Sequence, residues 1–127
     1  MKIISLFAAL LLITTFVAFS NDKDHTPSLF VIDGLWEGKI GTESGTPSAQ
    51  YVLNIKSDGS VERVNASNTI TAYGTWQLKG STFTATYNYS NGTIVNVTGI
   101  VDKEKNKLTA TWENNGNEEG TLFASKK

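Results

Sequence analysis

From Leu35 onward, apolar and polar residues alternate with a period of two, and no stretch repeats at helical spacing. The alternation predicts strands over about 35–41, 49–57, 60–66, 70–79, 81–89, 92–102, 107–113 and 119–125. The cuts carry turn chemistry: Asp58-Gly59 and Asn91-Gly92 are pairs that favour type I′ hairpins, and Lys79-Gly80 and Asn106 are similar in kind. Eight strands joined by short connections form a meander. Such a sheet leaves two unpaired edges or closes on itself, and closure is common at this number. The expected fold is all-β, an eight-stranded antiparallel up-and-down barrel.

Parity then assigns faces. Trp36, Ile40, Tyr51, Leu53 and Ile55 are expected inside, followed by Ile70, Ala72, Trp76 and Leu78. Phe83, Ala85, Tyr87 and Tyr89 face in against an outward row of Thr82, Thr84 and Thr86. Val95, Val97, Val101, Leu108, Ala110 and Trp112 complete the interior. The third and eighth strands are ambiguous, because Val61 and Val64 have opposite parity, as do Leu122 and Phe123. We place Val64 inside and Arg63 outside; the opposite choice would turn Arg63 inward, where it could meet a carboxylate or phosphate.

In a meander alternate connections share an end, so Asp58-Gly59, Lys79-Gly80 and 103–106 mark a tight-turn end. The connections 42–48, 66–69, 90–92 and 114–117 mark a loop end, the expected mouth. Trp36 and Trp76 then close the tight-turn end. Tyr51, Tyr87, Tyr89 and Trp112 fall toward the mouth, where rings with polar handles suit a small-molecule pocket. A barrel of this size is also just wide enough for its own side chains to fill it, so a filled core and a ligand cavity are both open.

The first residues are of a different kind. Lys2, the apolar run 3–19 and Ala18-Phe19-Ser20 read as a secretory signal over 1–20, cleaved near Ser20 and Asn21. An uncleaved anchor is the alternative, since the run reaches the lower edge of a bilayer-spanning length. Residues 21–32 read as a polar linker and 33–127 as the barrel domain. The chain has no cysteine, which closes both the lipoprotein route and disulfide stapling. The expected location is secreted or periplasmic.

Charge excludes some partners. The formal net charge is −1, and −2 once Lys2 leaves with the signal; basic residues are scattered singly, without the footprint of a nucleic-acid binder. The only histidine, His25, lies in the linker, so no nucleophile–histidine pair or histidine metal cage can form in the barrel. No catalytic residue, metal or cofactor is expected. Glu113, Glu118 and Glu119 could hold a cation at the mouth, but read first as a solvated loop. Asn65, Asn88, Asn91 and Asn96 begin Asn-x-Ser/Thr triplets, which matter only in a eukaryotic secretory context.

A Gly/Ala-x-Trp pattern recurs as Gly34-Leu35-Trp36, Gly74-Thr75-Trp76 and Ala110-Thr111-Trp112. Gly34-Leu35-Trp36 opening the first strand of such a meander resembles the start of the lipocalins and their calycin relatives, and with Glu37-Gly38 also resembles the avidin opening. The resemblance spans the chain from about residue 33 and implies a lipocalin-like barrel whose first tryptophan closes the narrow end. The last strand lacks the arginine that lipocalins stack on that tryptophan, and no binding residue is carried over. The expected function is an exported binding protein holding a small apolar or aromatic ligand at its open end. The alternatives are a protein-binding module, such as an inhibitor of an exported enzyme, and an envelope protein without a discrete ligand. The strand from Thr82 to Tyr89 is a candidate contact between copies.

Overall fold

A computed structural model describes residues 30–43 and 45–127. The expected signal and most of the linker lie outside the described residues. Eight strands follow in order: β1 Gly34–Thr42, β2 Ala49–Ile55, β3 Ser60–Val64, β4 Ile70–Lys79, β5 Thr82–Tyr89, β6 Ile94–Asp102, β7 Lys107–Asn114 and β8 Glu119–Lys126. Each pairs antiparallel with the next, and β1 pairs with β8 from Trp36↔Lys126 to Thr42↔Gly120, so the sheet is a closed barrel. The alternation worked because every strand has one wet face: β6 and β7 repeat exposed and buried positions without a break over most of their length.

Four of the hairpins share one turn. In 56–60, 65–69, 89–93 and 114–118 the fourth residue donates its backbone N–H to the first residue's carbonyl, and the first residue's N–H bonds the fifth residue's carbonyl. The fourth residue has positive φ in each: Gly59 (94°), Asn68 (68°), Gly92 (95°) and Asn117 (67°). Asp58, Asn65, Asn91 and Asn114 brace these loops by accepting backbone N–H groups on their side chains. This corrects the type I′ expectation at Asp58-Gly59 and Asn91-Gly92. Asp58 and Asn91 keep negative φ, and the loops are three-residue connections with a left-handed residue last.

The interior is crowded, and glycine makes it possible. Gly38, Gly74, Gly99 and Gly120 lie directly opposite Tyr51, Tyr87, Phe83 and Trp112 in the strand registers. A Cβ at Gly38 would sit 1.9 Å from the Phe123 carbonyl oxygen, and one at Gly74 would sit 1.8 Å from that of Thr86. Neighbouring backbone therefore approaches these positions as closely as only a residue without a side chain permits. Tyr51, Tyr87, Phe83 and Trp36 are completely buried in the resulting core.

Two face assignments are corrected. Val61 is fully buried in the core cluster, whereas Val64, though buried, stands outside it. Arg63 therefore faces in, sharing the parity of Val61 in a regular register with Leu53 and Ala72. Beyond Arg63 the β3–β4 ladder slips, with Val64 paired to Ile70 and Thr71 left as an extra residue on β4. The slip turns Ile70 outward, where it is exposed. On β8 the ambiguity resolves with Leu122 and Ala124 buried and Phe123 exposed.

The end of the expected linker belongs to the barrel. Ile32 is buried in the core, Phe30 packs against it, and the Ile32 carbonyl accepts the Trp36 indole N–H at 2.8 Å. Lys126 Nζ donates to the Val31 carbonyl at 2.6 Å. Trp76 closes the same end, donating its indole N–H to the Lys56 carbonyl at 2.8 Å and stacking on Phe83.

Gly38→Ala and Gly74→Ala should each destabilise the fold by about 3 kcal/mol or more, because the added methyl meets backbone that cannot rotate away. Thr84→Ala on the outer wall should shift stability by no more than about 0.5 kcal/mol. Chemical denaturation of the three variants checks both.

Candidate functional site

The features that bring chemistry together at the loop end follow from one register row. Leu53 on β2 opposes Arg63 on β3, Arg63 opposes Ala72 on β4, and Ala72 opposes Tyr89 on β5. The small Ala72 lets its neighbours meet over it, and an Arg63 guanidinium N–H donates to the Tyr89 hydroxyl at 2.8 Å. The guanidinium carbon lies 4.3 Å above the Tyr51 ring centroid and 5.9 Å from that of Tyr87, a cation held on aromatic faces. The Tyr51 and Tyr87 hydroxyls bond each other at 3.0 Å, and Tyr87 meets Tyr89 edge to face.

Three of the four aromatic residues expected at the mouth, Tyr51, Tyr87 and Tyr89, are thus one cluster with Arg63. Trp112 is not in it. Its indole N–H donates to the Gly41 carbonyl at 2.9 Å above Gly120, and it closes the loop end on the β7–β8–β1 side. Pro47 lies against Gly41 there, so the 42–48 connection contributes to that closure. Tyr51 and Tyr87 are wholly buried, whereas Arg63 and Tyr89 keep partial exposure.

Arg63 is the residue that parity missed, and its electrostatics are unusual. It is the only arginine of the chain. Ion pairs among the described residues join Lys56 to Glu62 and Lys127 to Glu37, and no described carboxylate approaches the guanidinium within 4.0 Å. Its Nε is buried without a hydrogen-bond partner among the described residues. The available signal was Val61, whose apolar parity Arg63 shares. The competing Val64 hid it.

Two clefts formed by described residues lie side by side on the outer wall. One of about 460 Å³ is lined by Thr98, Thr111, Thr121, Glu113 and Glu119 with the edge of Trp112. The second, beside it, adds Thr42, Asn114 and Glu118. Glu113 and Glu119 are register partners across β7 and β8. Among the described residues, no group of three or more His, Cys, Asp or Glu side chains is placed to hold a metal ion.

Burial governs the titration of the tyrosine pair. It pushes the Tyr51 hydroxyl well above its ordinary value of 10.0, with the Tyr87 hydroxyl adding to the rise and Arg63 opposing it. Burial raises Tyr87 as well, again against Arg63. The unfolded chain therefore releases these protons first. Stability should be intact below pH 10 and should fall as pH rises above it, by up to about 1.4 kcal/mol per pH unit for each tyrosine. Alkaline titration should show two tyrosines ionising only as the protein unfolds, read by tyrosinate absorbance against circular dichroism.

No family model matches the chain, and no curated protein matches it. The chain is similar to a solved structure of a redesigned β-barrel, with a TM-score of 0.58 and 13% identity over 76% of this chain and 91% of that one. At that identity the likeness is one of fold: an eight-stranded closed antiparallel barrel.

Proposed function

We propose that the protein is an exported, lipocalin-like barrel that binds a small organic anion at its loop end, with Arg63 as the charged anchor. The observation that carries this reading is the guanidinium without a carboxylate. Taking a charge out of water costs several kcal/mol unless it is paired, and cation–π contacts, about 2 kcal/mol for a desolvated one, offset only part of that. A carboxylate, sulfonate or phosphate arriving at Arg63 would supply the missing counter-charge and charge-assisted hydrogen bonds. The partial exposure of Arg63 and Tyr89 gives such a group a route from the 65–69 and 89–93 turns.

This changes where the ligand sits. Tyr51 and Tyr87 fill the lumen beneath Arg63 and act as its floor, and the apolar part of the ligand rests against Tyr89 and the adjoining turns. Trp112 keeps the other side of the loop end shut. The opening Gly34-Leu35-Trp36, with Trp36 at the narrow end, supports the lipocalin likeness, and the apolar run at 3–19 supports export.

Two dyes of similar aromatic body and different charge test the anchor: anilinonaphthalene sulfonate and neutral N-phenylnaphthylamine. Arg63→Met should weaken the sulfonate at least about tenfold, as expected for loss of a charge-assisted bond, and leave the neutral dye within about twofold. Equal binding of the sulfonate by both proteins would overturn the reading. If Arg63 serves a ligand rather than the fold, Arg63→Met should also leave stability within about 1 kcal/mol or raise it, because it removes an uncompensated charge. Thermal unfolding measures that.

A further inference from the structure

The outer wall of β5–β8 has no role in the site above, and its pattern is regular. Two complete register rows cross it: Thr82, Ile100, Thr109 and Phe123, then Thr84, Thr98, Thr111 and Thr121. Thr86 and Asn96 begin a third and bond each other at 2.7 Å. None of these ten positions is charged, and Ile100 and Phe123 are 56% and 45% exposed. Closed barrels have no free edge, so a partner on this wall must be held by side chains alone.

Charge frames the field asymmetrically. On the tight-turn side Lys79 neighbours Thr82, Lys39 neighbours Phe123, and Lys107 follows on β7 with Asp102 opposite it. On the loop side stand Glu113 and Glu119, directly opposed, with Glu43 bonded to the Glu119 carbonyl through its backbone N–H. Like charges in opposed positions on a sheet repel. Neither these glutamates nor Lys39, Lys79 and Lys107 take part in the ion pairs formed among the described residues.

We propose that a second copy of this chain packs on the wall about a two-fold axis lying in the interface and perpendicular to the strands. That operator keeps each strand at its own lateral position, so it sets Lys107 on β7, and Lys39 beside β8, of one protomer against Glu113 and Glu119 of its partner. It also lays Ile100 and Phe123 on the partner's threonine field. A two-fold axis along the strands would instead stack lysines on lysines and glutamates on glutamates, so charge selects the first arrangement. Because the barrel is closed, β5 turns away from β8, and the uncharged wall that one partner can cover is the six positions of β6–β8, which at strand spacings of about 4.8 Å and outward spacings of about 6.8 Å present roughly 200 Å². The two charged borders extend it toward, but not beyond, the ~800 Å² per partner of a standard interface. The dimer is therefore weak and concentration-dependent.

Sedimentation equilibrium of the purified full chain should show dimer growing from micromolar to millimolar concentration and receding as salt is raised. Ile100→Lys with Phe123→Lys should weaken association at least tenfold while circular dichroism stays that of the parent. Because the chain has no cysteine, Thr111→Cys, near the proposed axis, should cross-link as a dimer on mild oxidation, whereas Thr75→Cys on β4 should not. A monomer at every concentration, or a dimer indifferent to the lysine pair, or equal cross-linking by both cysteines, would overturn the proposal.

Discussion

The structure depends on how little room an eight-stranded barrel leaves inside. Four of the large rings stand opposite a residue without a side chain, Gly38 for Tyr51, Gly74 for Tyr87, Gly99 for Phe83 and Gly120 for Trp112, whereas Trp36 faces Leu53 and Lys126. At these glycines neighbouring groups come too near for a Cβ. Among the described residues the core combines five large rings with nine Ile, Leu and Val side chains and four alanines.

Buried side chains crowd the lumen, and the polar chemistry lies toward its ends. Trp36 with Ile32, and Trp76 with the 56–60 turn, occupy one end. Trp112, Gly41 and Pro47 occupy part of the other. What remains is the segment beside the β3–β4 slip, and there the fold keeps a cation on two tyrosine faces instead of another apolar group. The slip re-aims Ile70 to the outside, while Arg63 keeps the inward parity of Val61.

The fold was legible because period-two alternation is a direct consequence of one wet and one dry face, and residues such as Val95, Val97, Val101, Leu108 and Ala110 obey it. Positive φ was legible at Gly59, Gly80, Gly92 and Asn106, where residue type and conformation agree. The turn type was not, since Asp-Gly and Asn-Gly serve two hairpin geometries that differ only in how many residues precede the closing pair. Ile70 was misplaced because a ladder slip is a property of two strands and cannot be seen in either alone, and Arg63 because Val61 and Val64 offer opposite parities on β3. The division of the loop-end aromatics was hidden in the same way. Tyr51, Tyr87, Tyr89 and Trp112 share depth, but only barrel circumference separates the indole from the three phenols.

Closure joins the first strand to the last, with Trp36 against Lys126. A growing chain can form hairpins in sequence, but the cylinder cannot shut until β8 has been synthesised, and loop-closure entropy makes that contact the slowest to gain. Until then the nascent chain keeps two open sheet edges and an uncovered row of aromatics. The time between making β7 and pairing β8 is therefore the interval in which a chaperone has an unfolded client to hold.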